Sequence, residues 1–449
     1  MVNKHLDKFK VGYKKLGLKI HSFLNDNLLA IVMAIVTGIS IVIRYMVALH
    51  PTNDMVGYIL NGWMKSIESA GFKNFYTIDA DYSPLYLFMI AIFTKLPKGN
   101  QVTINGYTFY QNWMYYIKSV YFLMDILIAV GVFLVVKEVT KDKTKAAIGY
   151  IISLCLPVQF ANSALWGNND SMYFCCFIYI LYFILKRKDH LVWFFFGLSF
   201  SLKLQSVFVL PFLFYLVFSR RLKFYPIYMA LVALMLSFLP SYCCGASFLK
   251  PFEFFTKEVN GYSQLTLGCG NLWKFFSSTN MDSSSDALNK ASTWIGLLFI
   301  FLFTAIIYIR RIKLTKENIV FIGTFLIGIV PFFLPHMHER YFYSLDVLIL
   351  VYCLVRKKRY FFVPLMQLSS GIAYYHYLSG FKTYIINTWG EDTVTIASVI
   401  NLFLLTFIFI DLLSLDHYSK DEYKELLDKE KENLNPTLKD ELTKDLLDK

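Results

Sequence analysis

The chain has 449 residues, of which 56% are hydrophobic, 18% are aromatic and only 17% are charged. Together with repeated long apolar runs, this composition excludes an ordinary soluble domain and is typical of a polytopic helical membrane protein. The formal net charge of +12 does not indicate nucleic acid, because no basic face with interleaved stacking aromatics lies outside the apolar runs. The basic residues form short clusters between those runs, which is typical of cytoplasmic loops. The clusters lie at 137–145, 186–188, 220–221, 310–311 and 356–359.

The sequence divides into three parts of different character. Residues 1–27 carry lysines and apolar residues at helical spacing, which predicts an amphipathic N-terminal helix on the cytoplasmic surface and no cleavable signal peptide. Residues 28–413 contain the apolar runs and form the predicted transmembrane domain. Residues 414–449 are rich in Lys, Asp and Glu and carry leucines at helical spacing. They predict a charged cytoplasmic tail, either helical or solvated and partly frayed.

The fold expected for residues 28–413 is all-α, a polytopic transmembrane helical bundle of about 12 spans with a long first external loop that carries interfacial helices. The apolar stretch 85–96 has 12 residues, too few to cross a membrane at about 1.5 Å per residue. We expect it to lie in the interface or to dip in partway. With the basic clusters as cytoplasmic anchors, the predicted spans are 28–49, 115–136, 146–162, 171–185, two short helices within 190–218, 225–240, 293–309, 320–334, 342–355, 360–378 and 393–413.

The stretch 334–341 reads Leu-Pro-His-Met-His-Glu-Arg-Tyr and lies between two apolar runs. Ionisable side chains at membrane depth cost about a few kcal/mol each, so they usually handle a polar ligand. The next apolar run follows at once, which keeps His336, His338, Glu339 and Arg340 at the membrane surface. A site at that boundary suits a substrate that is half lipid and half polar.

Other polar residues are predicted on the same external face, because they follow outward spans or precede inward ones. Lys203 and Gln205 lie where the two short helices within 190–218 are expected to meet, so they face protein or a cavity and not lipid. A buried lysine needs an anion, and a phosphate would serve. The external residues are Asp54, Asp79, Asp81, Tyr82, Trp166, Asn168, Asp170, Tyr262, Gln264, Asn271 and Trp273.

Several of these residues also have simpler structural interpretations. Asp54 is a good N-cap for the helix that follows it, and Asp81 before a Pro-containing turn is typical of a structural aspartate. Trp166 lies at a span end, where tryptophans commonly form the interfacial belt. Lys203 could snorkel to the surface or pair with a carboxylate such as Asp125, which we expect to be a buried structural partner.

Five sequence segments together resemble one family. They are Asp54 soon after the first span, Asp81-Tyr82-Ser83-Pro84-Leu85-Tyr86, Trp166-Gly167-Asn168-Asn169-Asp170-Ser171, Lys203-Leu204-Gln205 and Pro335-His336-Met337-His338-Glu339-Arg340-Tyr341. These segments are similar to motifs of the integral-membrane glycosyltransferases of the GT-C superfamily, in particular the bacterial relatives of the second mannosyltransferase of glycosylphosphatidylinositol synthesis. The resemblance covers residues 53–343. One departure is Asn168, where the family usually has Gln.

The resemblance implies an inverting hexosyltransferase that moves a mannose-like hexose from a polyprenyl-phosphate sugar to a hydroxyl of a lipid-linked or cell-envelope acceptor. It also implies a multi-pass protein of a bacterial plasma membrane, with its active site on the external face. The chemistry needs a carboxylate to take the acceptor proton. It also needs cations to stabilise the departing lipid phosphate.

The predicted site combines the family matches with the other external polar residues. Asp54 and Asp81 are the catalytic candidates, with Asp54 as the base and Asp79, Asp81 and Asp170 as its rivals for that role. The donor-binding candidates are Lys203, Gln205, His336, His338, Glu339, Arg340 and Tyr341. The acceptor- or sugar-binding candidates are Trp166, Asn168, Asp170, Tyr262, Asn271 and Trp273.

The sequence indicates no firm cofactor. Asp54, Asp79 and Asp81 could hold Mg²⁺ or Mn²⁺, although a lipid monophosphate leaving group does not require a metal. His336 and His338 could form a metal pair, but no third ligand is evident in the sequence. The alternative function is a polytopic transporter or flippase for a lipid-linked sugar. Such proteins commonly contain internal repeats, and the sequence has no second copy of the Asp54 region or of the stretch 334–341.

Overall fold

The computed structural model describes residues 26–255, 263–276, 284–378, 393–419, 421–423 and 425. Nearly all regular structure in them is helical. The α-helices are α1 (Asp26–Val47), α2 (Lys65–Ala70), α3 (Pro84–Phe93), α4 (Gln111–Thr140), α5 (Lys143–Cys155), α6 (Pro157–Phe160), α7 (Asp170–Leu185), α8 (Asp189–Leu202), α9 (Leu210–Phe218), α10 (Tyr228–Cys243), α11 (Asp286–Ile309), α12 (Lys316–Phe333), α13 (Tyr343–Arg356), α14 (Phe362–Leu378) and α15 (Thr393–Leu413).

Shorter helical turns connect these elements. Two π-helical segments, Asn53–Met64 and Ala161–Trp166, precede α2 and extend α6. The 3₁₀ turns are Phe72–Thr77, Leu204–Val209, Tyr225–Ile227, Lys250–Phe252 and Leu272–Phe276. The predicted N-terminal amphipathic helix lies outside the described residues except for its last positions, and so does the tail from residue 426 onward.

The N-terminal ends of some helices follow from a capping side chain in the local sequence. Ser83 accepts a hydrogen bond from the Tyr86 amide at 3.3 Å, and Pro84 occupies the first turn, so α3 begins there. Thr315 caps α12 in the same way by accepting from the Asn318 amide at 3.1 Å.

At one end of the bundle, several helices stop at basic residues in the left-handed backbone conformation. Lys141, Arg187, Arg220, Arg311 and Lys357 have φ angles between 51° and 59°. Glycine is the usual residue at such a position, but a positive charge there interacts favourably with the negative end of the helix dipole. The basic clusters of the sequence therefore mark helix ends.

The described residues contain six helical segments that are long and apolar enough to cross a membrane. They are α1, α4, Tyr225–Cys243, α11, α12 and α15. Helix α5 and the following segment Pro157–Trp166, bent by 47°, would together make a seventh. The mostly helical fold with candidate membrane helices is confirmed. The predicted total of about 12 spans is not confirmed, because the other apolar helices are too short by this measure.

The chain runs back and forth between two ends of the bundle. At one end, which we call the basic end, Glu138 of α4 pairs with Lys186 after α7 at 2.7 Å and with Lys316 at the start of α12. At the opposite end, Lys118 of α4 donates to the His50 carbonyl at 3.0 Å and to carbonyls at the end of the α6 segment. These contacts hold the loop before Asn53–Met64 against the loop that precedes α7.

Helices α12 and α13 form the centre of the bundle, where nearly every residue is buried. The long helix α4 packs beside them and contributes Asp125 to the interior. Asp125 pairs with Arg44 of α1 at 3.2 Å and accepts a hydrogen bond from Ser163 at 2.6 Å. Asp125 is therefore the buried structural partner that the sequence predicts, but its cation is Arg44 and not Lys203.

The all-α prediction omits two small sheets. Strands β1 (Gln101–Ile104) and β2 (Tyr107–Tyr110) form an antiparallel hairpin in the loop before α4. Its turn is Asn105-Gly106, with φ angles of 49° and 80°, and Asn-Gly is a preferred pair for such a turn. Strand β3 (Thr266–Leu267) pairs in parallel with β4 (Met337–His338). No local pattern indicates this second pairing, because its two strands are far apart in the chain.

Candidate functional site

Asp54 lies in the first turn of the π-helical segment Asn53–Met64, where two aromatic side chains bind its carboxylate. Trp166 Nε1 donates to Oδ2 at 2.9 Å, and the Tyr377 hydroxyl donates to Oδ1. The N-cap of this segment is Thr52, which accepts from the Met55 amide at 3.2 Å. The alternative interpretation of Asp54 as a helix cap is therefore wrong.

Trp166 is the centre of a small aromatic and cationic stack. Its ring lies 4.3 Å from that of Tyr377, nearly parallel, and the guanidinium of Arg340 lies 5.4 Å from its centroid. The side chain is fully buried, so Trp166 does not belong to an interfacial belt. Its role is to orient Asp54 and to support Arg340.

Lys203 marks the break between two short helices, as the sequence predicts. Helix α8 ends at Leu202, and Lys203 has extended backbone angles of −157° and 138° before the next turn begins. Its ammonium lies 2.5 Å from Oδ1 of Asp170 and 3.1 Å from Oδ1 of Asn169. Lys203 neither snorkels nor pairs with Asp125. Asp170, the first residue of α7, is its carboxylate partner.

The pairing of β3 with β4 positions the segment that carries the histidines and Arg340. The Glu339 amide donates to the Leu267 carbonyl at 3.0 Å. His336 has a φ of 62°, and its Nδ1 donates to the Gln264 carbonyl at 2.6 Å. This contact uses the Nδ1 nitrogen of His336 for a backbone carbonyl.

Glu339 and Arg340 form a buried ion pair, in which Arg340 Nη1 lies 2.6 Å from Glu339 Oε1. Although burial by itself would raise the pKa of Glu339, the charge of Arg340 and the contact with His338 lower that pKa to about 2. Burial and the charge of Arg340 lower the pKa of His338. At neutral pH Glu339 is therefore an anion beside the cation Arg340, and the imidazole of His338 is neutral.

A cavity of about 240 Å³ opens beside these groups. Two carboxylates, Asp54 and Asp81, and two cations, Lys203 and Arg340, line it together with His338. Asp81 is exposed, and its carboxylate makes no hydrogen bond or ion pair within the described part of the chain. The remaining lining residues are Tyr58, Ile59, Trp63, Tyr82, Tyr341 and Tyr377.

A second pocket of about 200 Å³ lies beside the first, and Tyr341 lines both. Gln205 donates to the Tyr341 hydroxyl at 2.5 Å at this boundary. Most of the second pocket's walls are apolar, although His336 contributes to them. A charged cavity thus adjoins an apolar one, an arrangement that fits a ligand with a polar head and a hydrocarbon chain.

The structure gathers most of the predicted site residues at one end of the bundle, but not all of them reach the cavity. Trp166, Asn168, Asp170 and Glu339 are buried behind its walls. Of these, Asp170 holds Lys203 and lies 3.8 Å from Arg340 Nε. The structure places Trp166, Asn168 and Asp170 behind the lining residues, and their contact with sugar or acceptor stays a prediction.

Asn271 and Trp273 lie elsewhere, against the end of α12. Asn271 donates to the Leu334 carbonyl at 3.1 Å, and Trp273 Nε1 donates to the Phe333 carbonyl at 2.7 Å. They fix the 3₁₀ turn Leu272–Phe276 and are not among the lining residues of the cavity, so their role in sugar binding stays a prediction. Tyr262, the other predicted residue of this loop, lies outside the described residues.

Tyr377 lines the cavity and donates to Asp54, and the sequence did not predict this position. It lies at the end of α14, in a tyrosine-rich stretch at residues 374–377. A buried phenol needs a hydrogen-bond partner. A group of tyrosines at the end of an apolar helix therefore indicates that one of them contacts a polar group. The sequence does not show that this partner is Asp54.

The described residues contain no group of three or more His, Cys, Asp and Glu side chains that could hold a metal ion. Asp54 and Asp81 share the cavity, while Asp79 is not among its lining residues. The predicted option of Mg²⁺ or Mn²⁺ thus rests on at most two carboxylates in the described cavity.

The fold and the cavity define a class, namely a helical protein with several candidate membrane-spanning helices and a charged cavity at one end of the bundle. No protein-family model matches the chain, and no curated protein matches it. The function therefore has to be argued from the residues of the cavity.

Proposed function

We propose that the chain is an inverting hexosyltransferase of the GT-C type, which moves a mannose-like sugar from a polyprenyl-phosphate donor to a hydroxyl of a lipid-linked or cell-envelope acceptor. The observation that carries the proposal is that an oriented carboxylate, Asp54, lines one cavity with two cations, Lys203 and Arg340. A base for the acceptor proton and cations for the leaving phosphate are what this transfer needs.

In the proposed step, the acceptor oxygen forms a bond to the anomeric carbon of the sugar. The bond from that carbon to the phosphate oxygen breaks, and its electron pair leaves with the polyprenyl phosphate. The acceptor proton moves to Asp54, whose orientation is set by Trp166 and Tyr377. Attack on the face opposite the leaving group inverts the anomeric carbon.

Lys203 and Arg340 each have a carboxylate on the side away from the cavity. Asp170 pairs with Lys203, and Glu339 pairs with Arg340. A buried cation without a partner would be strongly destabilising, so this pairing keeps the empty site stable. When a lipid phosphate binds and later departs, neither cation is left alone, which favours release of the product.

The amphipathic donor fits the two adjoining cavities. The sugar and phosphate would occupy the charged cavity, and the first isoprenoid units would occupy the apolar pocket beyond Tyr341. The proposal includes a plasma-membrane bundle of about 12 crossings in which the shorter apolar helices also pass between the two ends. The basic end would face the cytoplasm, and the cavity would then lie on the external face.

The test uses the full chain in nanodiscs with radiolabelled polyprenyl-phosphate hexoses, and it follows the release of free polyprenyl phosphate. We expect Asp54→Asn and Arg340→Ala to lower turnover by about 10²- to 10⁴-fold. Asp286→Asn is the matched control, because Asp286 is exposed and does not line the cavity. Melting temperatures establish that each variant folds.

Two outcomes would contradict the proposal. Wild-type turnover in folded Asp54→Asn would remove Asp54 as the base. No turnover with any donor, together with movement of a lipid-linked sugar across sealed vesicles, would support a transporter or flippase instead.

A further inference from the structure

Lys118 is a buried lysine of α4, at the same end of the bundle as the cavity that Asp54 lines. Its side chain is fully buried, and among the described residues it forms no ion pair with a carboxylate. A buried charge without compensating bonds is strongly destabilising. The ammonium of Lys118 therefore depends on hydrogen bonds to neutral groups.

Three backbone carbonyls accept these hydrogen bonds. Lys118 Nζ donates to the Ala164 carbonyl at 2.8 Å and to the Leu165 carbonyl at 3.3 Å. It also donates to the His50 carbonyl at 3.0 Å. Ala164 and Leu165 lie in the last turn of Ala161–Trp166, where carbonyls lack partners within the helix and the dipole attracts a cation. An ammonium has three N–H donors, so none remains for a ligand.

The three carbonyls belong to the two chain segments that carry Asp54 and Trp166. His50 precedes Asp54 by four positions, and Leu165 is the neighbour of Trp166. A further bond joins the same segments, because the Thr52 hydroxyl donates to the Trp166 carbonyl at 2.8 Å. The ammonium and this hydroxyl therefore fasten together the two backbones whose side chains meet in the 2.9 Å bond from Trp166 Nε1 to Asp54.

The turn after Trp166 packs directly against the side chain of Lys118. Gly167 has a φ of 76°, a conformation that favours glycine. A Cβ at this position would lie 2.5 Å from Met55 Cε and 2.9 Å from Lys118 Cε. No space for a further methyl group exists at this turn, so the position of the ammonium and the position of Trp166 are coupled through close packing.

We propose that Lys118 is a positioning residue for the candidate base, because its bonds to the three carbonyls hold Trp166 at hydrogen-bond distance from Asp54. The ammonium acts as an internal cation that joins two loops, and it contacts neither donor nor acceptor. The placement of Trp166 does not depend on the transfer reaction, whereas the expected effect on turnover rests on the proposed function. The two parts are therefore tested by separate measurements.

The first measurement does not use turnover. It records the indole N–H signals of the full chain by NMR, in nanodiscs and with ¹⁵N-labelled tryptophan. The chain has seven tryptophans, and Trp166→Phe identifies the Trp166 signal by its loss. Asp54→Asn gives the position of this signal when the acceptor is neutral. We expect Lys118→Ala to move the Trp166 signal toward that position.

The second measurement is turnover of the polyprenyl-phosphate hexose. We expect Lys118→Ala to lower kcat about 10- to 100-fold, the effect of losing one hydrogen bond to a charged group, with a smaller change in KM. Arg221→Gln is the matched control, because Arg221 is a buried cation that donates to the Ile184 carbonyl at 2.6 Å at the basic end. This control should lower the melting temperature and change neither kcat nor the Trp166 signal.

Each outcome decides the proposal. A moved Trp166 signal with a lower kcat in folded Lys118→Ala supports it. An unmoved signal, or equal changes in the Lys118 and Arg221 variants, overturns it. A moved signal without turnover of any donor by the wild type supports the positioning of Trp166 and removes the proposed function alone. If Lys118→Ala does not fold, Lys118→Gln decides by the same criteria, because its amide keeps two N–H donors for the three carbonyls.

Discussion

The indole Nε1 of Trp166 donates a 2.9 Å hydrogen bond to Oδ2 of Asp54, across 112 positions of the chain. Tyr377 donates to the other oxygen, and its ring stacks on the indole. One aromatic pair therefore binds both oxygens of the candidate base. This pair fixes the direction in which Asp54 can accept a proton.

Removal of either donor should slow the proposed transfer without unfolding the protein. Tyr377→Phe keeps the ring, and Trp166→Phe keeps a smaller aromatic ring. Each variant loses one hydrogen bond to a charged group, a contribution of about 1.5–3 kcal/mol. We expect kcat to fall roughly 10- to 100-fold, with a smaller change in KM, because the lost contact orients the base. Trp193→Phe is the control, since it loses an indole hydrogen bond of 2.8 Å at the basic end. Equal effects of all three substitutions would contradict a positioning role.

The ion pair between Lys203 and Asp170 should be essential for stability. Both side chains are buried at 2.5 Å separation, so Asp170→Asn leaves a buried cation without its carboxylate. We expect a loss of about 3–5 kcal/mol in the free energy of unfolding. The double variant Lys203→Met with Asp170→Asn should recover much of this stability while remaining inactive. Unfolding in detergent measures both effects, and an Asp170→Asn variant as stable as the wild type would contradict the assignment.

His338 should make the protein less stable as the pH falls. Its folded pKa is lowered from 6.5 by burial and by Arg340, so the unfolded chain takes up a proton more readily below pH 6.5. Stability therefore falls as the pH drops from 6.5 toward the lowered pKa, and it is retained above 6.5. We expect a shallower decline of the melting temperature in His338→Gln. Identical pH profiles for this variant and the wild type would show that His338 takes up no extra proton on unfolding.

The same pH series separates His338 from its neighbour. The folded pKa of Glu339 is lowered from 4.5 to about 2, so the stabilisation from its charge is complete above pH 4.5. It is lost only as the pH falls from 4.5 toward 2. A decline that begins between pH 6.5 and 5 therefore does not come from Glu339. Burial and the charge of Lys118 also lower the pKa of His50, so the part of the decline that is lost in His338→Gln is the part that belongs to His338.

Gly197 should tolerate no side chain, because α8 crosses α10 at that point. A Cβ at Gly197 would lie 2.2 Å from the Ala230 carbonyl oxygen, a contact with backbone that cannot move aside alone. We expect Gly197→Ala to lower stability by about 1–3 kcal/mol. Gly38→Ala is the control, since no atom lies within 4 Å of its added Cβ. Equal melting temperatures for the two variants would show that the helices separate at little cost.

Local patterns were sufficient for several features of the fold and for one of the site. The break at Lys203 follows from two short apolar runs with a polar junction, and the stop at Arg187 follows from a basic cluster. The Asn105-Gly106 pair is also a local indication of the hairpin turn, although the apolar runs on both sides favour helices. Asn271 and Trp273 show the limit of this reasoning. Their residue types fit a sugar site, but both side chains donate to backbone carbonyls at the end of α12.

The sequence by itself determined where the helices lie and which polar residues stand at their ends, because apolar runs, caps and basic clusters act over a few neighbouring positions. Only the tertiary structure decided the partners. It paired Lys203 with Asp170 and Asp125 with Arg44, and it brought Tyr377 to Asp54 from 323 positions away. The reason is physical, since a buried polar group bonds to whatever partner the packing of distant helices places beside it, and no local pattern contains that packing.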